Sequence, residues 1–207
     1  MQAINNRVNF EQFVEILKQK HLFLFTPLDI TRLFGFSLTR VKLLLHRYTK
    51  RGRTIRLKNG LYLLSGVVVP EFCIANQLSE PSYVSLETAL SHYQIIPETV
   101  YAITSVSTRR PQERTVALKR YQYHHIPVAA FTGYVPVTQG DFTYLIADPE
   151  KALVDYYYYV AKGLRPALDR VRLQLGALAT DRVLAYAKLF RNHQLTTLLT
   201  ELFKLSL

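Results

Sequence analysis

The segment TPLDITRLFGFS, from Thr26 to Ser37, starts one helix, ends it and caps the next. Thr26 is an N-cap residue, Pro27 takes the first helical position, where its missing N–H is no loss, and Asp29 sets an acid in the first turn, where the helix dipole favours it. A short helix is therefore expected to run to Phe34. Gly35 breaks it, and Ser37 caps a second helix in which Val41, Leu44, Leu45 and Tyr48 form an apolar stripe. Upstream, Phe10, Phe13, Val14, Leu17 and His21 recur at helical spacing behind an Asn9 cap and predict a first helix. The outer face of the last helix carries Thr39, Lys42, Leu43, His46, Arg47 and Lys50, with Arg40 at its edge. A helix, a tight glycine turn and a helix with a basic outer face is how a helix-turn-helix presents its recognition helix to the major groove.

The segment RGRTIRLKNGLYLL follows directly. Residues 54–58 and 61–64 read as strands joined by Asn59-Gly60, a pair that accepts the positive backbone angles of a two-residue hairpin turn. Ile55 and Leu57 alternate with Arg56 and Lys58, predicting one face against the helices and one showing its charges outward. A hairpin in this place is the wing of a winged helix-turn-helix, lying along the DNA backbone or its minor groove. The residues expected at DNA are Thr39, Arg40, Lys42, His46, Arg47, Lys50, Arg53, Arg56, Lys58 and Asn59. The plainer alternative is an edge hairpin that uses its cations against aggregation.

Charge distribution favours the first reading. The 207-residue chain carries a formal charge of +11. Of that, residues 1–60 hold 12 Lys and Arg against 3 Asp and Glu, and the remainder is nearly balanced at 14 against 12. No acid lies between Asp29 and Glu71, while Arg32, Arg40, Lys42, Arg47, Lys50, Arg51, Arg53, Arg56 and Lys58 all do. Such a run tied to a definite structural pattern points to phosphate binding, with double-stranded DNA as the partner. No apolar stretch reaches the roughly 18 residues of a membrane span, and MQAINNRVNF lacks the apolar core of a signal peptide, so the chain reads as soluble and cytoplasmic, with no membrane partner. The single cysteine, Cys73, excludes an internal disulfide and a multi-cysteine zinc site, and reads as a small apolar residue in a packed segment.

At 23.9 kDa the chain holds one large domain or two small ones. Composition changes after Val67. A boundary near residues 68–71 divides an N-terminal unit, residues 1–68, from a mixed α/β unit, residues 69–207, that ends in helices. The overall fold class is α+β. Residues 86–93 predict a short amphipathic helix opened by the segment 81–85. Residues 100–108, 115–126 and 141–147 predict three or four strands. Asp148 caps a helix to Lys162 that Gly163 ends, and two or three further helices fill the rest.

Two clusters in this unit bear on chemistry. Asp148, Glu150 and Lys151 resemble part of a nuclease carboxylate-lysine cluster, but their near contiguity reads better as N-cap, first-turn acid and surface lysine. His124 and His125 are strand neighbours, so they point to opposite faces and share no metal. With no phosphate-cradling loop and no nucleophile in a recognisable setting, neither an enzyme nor a cofactor or metal site is expected. Tyr156, Tyr157, Tyr158 and Tyr159 cover every side of a helical turn. Some are expected to be exposed, either as a partner surface or with hydroxyls that merely reach solvent from a packed helix. Arg109, Arg110 and Arg114 form a small basic cluster expected in a loop.

The series YVSLETALSHYQIIPETVYAITSVSTRR, YHHIP, FTGY and IADPEKALVDYYYY, spanning Tyr83 to about Tyr159, resembles the AbiEi family, the antitoxins of type IV toxin-antitoxin systems. The resemblance implies an N-terminal winged helix-turn-helix that represses its own operon through inverted repeats. It also implies a C-terminal domain that counteracts a nucleotidyltransferase-like toxin, directly or indirectly. The alternative class is a stand-alone winged-helix transcription factor whose second domain senses a ligand or dimerises.

Overall fold

The structure, a computed structural model, describes residues 8–204. The segment MQAINNR, part of the stretch read for a signal peptide, lies outside the described residues, as do the last three. Among the described residues the chain is mixed α and β, with eight α-helices and two sheets, and it divides into two compact units, Met1–Pro70 and Glu71–Leu207.

In the first unit, α1 (Phe10–Gln19) begins with a capping box in which the Asn9 side chain accepts from Gln12 N and Gln12 answers to the Asn9 N–H. His21, read as continuing the α1 stripe, lies beyond the helix with φ +49°. Helix α2 (Pro27–Phe34) has the same device: Thr26 Oγ1 accepts from Asp29 N while Asp29 accepts from Thr26 N at 2.8 Å. Gly35, with φ +69°, closes α2 in the left-handed conformation that favours glycine. Ser37 then caps α3 (Leu38–Lys50) by accepting from Arg40 N at 3.3 Å. Strands β1 (Leu24–Phe25), β2 (Thr54–Lys58) and β3 (Leu61–Leu64) form an antiparallel sheet in the order β1-β3-β2. Phe13 is the hub of this unit. Its ring meets Phe34 of α2 at 5.3 Å, Tyr48 of α3 at 5.2 Å and Phe25 of β1 at 6.1 Å, so one fully buried side chain ties four elements together.

The hairpin departs from the strict alternation expected of it. Leu57 is buried as expected, but Ile55 faces outward at 44% exposure while Thr54 turns inward. The ladder slips between Arg56 and Lys58, and this extra residue breaks the two-residue period. Gly60 alone takes a positive φ, +78°; Asn59 does not.

The second unit is built on a six-stranded mixed sheet in the order β6-β7-β5-β4-β9-β8. Its strands are β4 (Ser82–Val84), β5 (Ile103–Ser107), β6 (Gln112–Val116), β7 (Lys119–His125), β8 (Tyr134–Gln139) and β9 (Phe142–Ala147). Opposite faces are covered by different helices. Tyr83 pairs across from Val106, and its hydroxyl donates to Asp155 of α6 (Pro149–Ala161). Tyr123 pairs beside Ser105, one residue along β5 and hence on the other face, and its hydroxyl donates to Ala75 O of α4 (Glu71–Leu78). Helix α5 (Leu86–His92) packs on β5 and α6, and α7 (Thr180–Leu189) and α8 (His193–Lys204) pack on α6.

Several elements differ from the sequence reading. The segment 115–126 is no single strand: it folds back at Ala117 and Leu118, both with positive φ (+47° and +67°), so β6 and β7 pair antiparallel. The segment 81–85 contributes β4 rather than a helix start, and 71–78 is helical rather than connecting chain. Strand β8 contains Pro136, which has no N–H to donate and is tolerated because β8 is an edge. Cys73 is buried as expected, and burial pushes its thiol up to about 11. No helix among the described residues is long and apolar enough to cross a membrane.

Candidate nucleic-acid interface

Helix α3 exists as a separate rod because Gly35 turns the chain left-handed and Ser37 accepts from the Arg40 N–H of its first turn. Its inner stripe, Val41, Leu45 and Tyr48, is buried, so the 3.6-residue period forces Thr39, Lys42, Leu43, His46, Arg47 and Lys50 outward, and all six are exposed. With 13 residues the rod is about 20 Å long and 10 to 12 Å across with its side chains. Arg47 and Lys50 sit in the last turn, where the helix dipole favours cations. A shallow groove of about 480 Å³ runs along the outer face, lined by Ser37, Thr39, Arg40, Leu43, His46 and Arg47.

Two of the expected arginines are positioned by aromatic rings. The Arg40 guanidinium lies 3.9 Å from the centroid of Phe36, and that of Arg53 lies 4.4 Å from Phe10. These contacts hold each flat guanidinium against an apolar support, which restricts its rotamers. On the hairpin, Arg56 donates to Asn59 Oδ1 at 2.8 Å and to Lys58 O at 3.4 Å, so Arg56, Lys58 and Asn59 form one cluster at the turn. The hairpin is anchored to the helix at its other end, where the Thr49 and Thr54 hydroxyls are 3.0 Å apart. The structure thus brings all ten expected residues into the same unit, on the outer face of α3 and on the chain that leaves it.

The second unit corrects two readings. Tyr156, Tyr157, Tyr158 and Tyr159 are all buried, so they form no exposed patch and offer no partner surface. Helix α6 is central, with the sheet, α5, α7 and α8 around it, so every side of its turn meets protein. Tyr159 donates to His125 O at 2.5 Å and Tyr156 to Pro166 O at 3.1 Å. Lys151 is no surface lysine: it is fully buried, ion-paired with the fully buried Asp155 one turn on, and lies against the rings of Phe190 and Tyr83. Asp155 also accepts from Ser85 Oγ at 2.8 Å and Tyr83 Oη at 3.0 Å. Burial pushes the Lys151 ammonium down and the Asp155 carboxyl up, and each is the other's principal counterweight. The i,i+4 spacing in EKALVD was the available signal for this pair.

Asp148 caps α6, accepting from Lys151 N at 2.8 Å, from Tyr186 Oη at 2.6 Å and from Arg182 at 2.8 Å. Glu150 accepts from Ala179 N at 3.1 Å. The groups that resembled a nuclease cluster are therefore engaged with one another and with α7. His124 lies 3.2 Å from Arg165, which is itself bidentate to Glu87, and His125 meets Arg109 O. Burial, then Arg165, pushes His124 down to about 4. Arg109 and Arg110 are exposed, whereas Arg114, expected in a loop, lies on β6 and donates to Gln112. Among the described residues no cluster of three His, Cys, Asp or Glu side chains could hold a metal ion.

No protein-family model matches the chain, and no curated protein matches it.

Proposed function

We propose that the first unit is a winged helix-turn-helix that binds duplex DNA, with α3 in the major groove and the β2–β3 hairpin as its wing along the backbone. The single observation that carries this reading is the outer face of α3. Its exposed cations continue into the hairpin without one acidic side chain between Asp29 and Glu71. A merely soluble surface has no need to exclude acids from 41 consecutive positions; a phosphate-binding one does. The rod diameter of α3 suits a groove about 12 Å wide. Thr39 and Arg40 lie in the first turn, where a recognition helix reaches base edges, while Arg53, Arg56 and Lys58 take the phosphates.

The motif series of the second unit supports a further step in the same reading. The chain acts as an AbiEi-type autorepressor and antitoxin, binding operator repeats through the first unit and opposing a nucleotidyltransferase-like toxin through the second. Binding by the full-length chain, titrated against salt, tests the DNA step. If about six phosphates are neutralised, log K falls against log salt with a slope of about −5. A slope near zero at measurable affinity refutes it. Co-expression with a toxin encoded beside the gene tests the antitoxin step, with restored growth as the expected result.

A further inference from the structure

Leu43, Leu44 and Leu45 are consecutive on α3, and helical geometry sends them to three different places. Leu45 is fully buried, Leu44 packs at the edge of the core, and Leu43 stands outside at 60% exposure. A single exposed leucine is ordinary on a protein surface. What sets Leu43 apart is its position. It follows Thr39 by four residues and precedes Arg47 by four, so the three share one ridge along the outermost line of the rod. Lys42 and His46 lie on one side of that ridge and Arg40 on the other, and the groove of about 480 Å³ runs along it. The one apolar side chain of the face therefore stands at its centre, where a helix inserted in a groove comes deepest.

Resting on the DNA reading above, we propose that Leu43 is a specificity residue that reads the 5-methyl group of thymine. The chemistry of the major groove leaves little choice. Adenine, guanine and cytosine present hydrogen-bonding edges there, which suit Thr39, Arg40 and His46. Thymine adds the one methyl group, which only an apolar surface gains by covering. Leucine over any other base would strip water from a donor or acceptor without replacing it. The preferred site therefore contains thymine at the base pair under the middle of α3, between the bases met by the first turn and the phosphates met by Arg47.

The test uses the full-length chain and a pool of random-sequence duplexes. Bound duplexes are selected at moderate salt, and each thymine of the enriched site is replaced in turn by deoxyuridine, which differs only in lacking the methyl. One position is expected to weaken wild-type binding about fourfold, the size of one buried methyl group. Leu43→Ala, checked for an unchanged unfolding midpoint, is expected to bind the thymine and uracil forms of that position equally. Enrichment of no sequence, indifference of the wild type to uracil at every position, or the same uracil penalty in Leu43→Ala each overturns the proposal while leaving DNA binding itself standing. Failure to retain any duplex at any salt removes the DNA reading, and this inference with it.

Discussion

The two units dispose of their charges in opposite ways. In the first, cations face water from α3 and the hairpin, and the interior is a cluster of phenylalanines and aliphatics around Phe13. In the second, Lys151 and Asp155 are buried inside the fold, with Asp148 and Glu150 held against Arg182 nearby. A lysine is thus a surface feature in one unit and a core residue in the other. What separates them is the availability of partners. Asp155 finds Lys151, Ser85 and Tyr83 around it, so its desolvation is offset, whereas α3 and the hairpin lie in a stretch of chain that carries no acid between Asp29 and Glu71. The contrast teaches that charge left outside without local acids is charge available to an external polyanion.

The sharpest way to break this comparison is to remove the centre of each core. Phe13→Ala is expected to destabilise the first unit by about 3 to 5 kcal/mol, because four elements lose their common contact. Asp155→Ala is expected to cost a similar amount, about 3 to 5 kcal/mol, by taking the counter-charge from buried Lys151 and the acceptor from two hydroxyls. Denaturant titration of each variant measures both. The double variant Lys151→Met with Asp155→Asn should recover much of the second loss, since the amide still accepts from Tyr83 and Ser85 and no bare charge remains. Phe13→Ala has no such remedy.

A smaller effect sharpens the electrostatic side. His124 is held down at about 4 in the folded chain, against an ordinary 6.5. Below pH 6.5 the unfolded chain takes a proton that the folded one refuses, so this contribution is fully present above 6.5 and is lost as the pH falls towards 4. It amounts to about 3 kcal/mol. Unfolding measured from pH 7 to 4 should fall more steeply for the wild type than for His124→Gln. Parallel curves would show that burial does not govern this histidine.

Glycines give the next contrast. A Cβ on Gly133, at φ +73°, would meet the Tyr186 ring at 2.8 Å and Lys151 Cγ at 3.0 Å, whereas one on Gly35, at φ +69°, meets nothing within 4 Å. Gly35→Ala should cost about 1 kcal/mol through the backbone alone, and Gly133→Ala about 2 to 3 kcal/mol, because the ring against the buried charge network must also move. Equal losses, read as shifts in unfolding midpoint, would mean that Tyr186 gives way freely. The smallest stability effect belongs to the exposed cations. Replacing Arg47 and Lys50 by alanine should shift unfolding by less than about 0.5 kcal/mol each, while flattening the salt slope of DNA binding by about two.

Local chemistry in the sequence determined most of the first unit. The Asn9, Thr26 and Ser37 caps, the glycine stop and the buried stripe of α3 are contacts between residues three or four apart, and they form as the sequence reads. The outward cations followed from the same period. Only tertiary structure decided the second unit's interior. Strand β4 is three residues long and owes its conformation to β5 and β9 on either side. The β6–β7 turn uses Ala117 and Leu118, which carry no turn signal. Lys151 and the four tyrosines are buried because α6 is surrounded, and no residue of α6 encodes that. The partners of Asp155 that make its burial tolerable include Ser85 and Tyr83, 70 and 72 positions away. Periodicity reports which face of an element is apolar; whether a second face will also be covered depends on long-range pairing, and that is settled only when the chain closes.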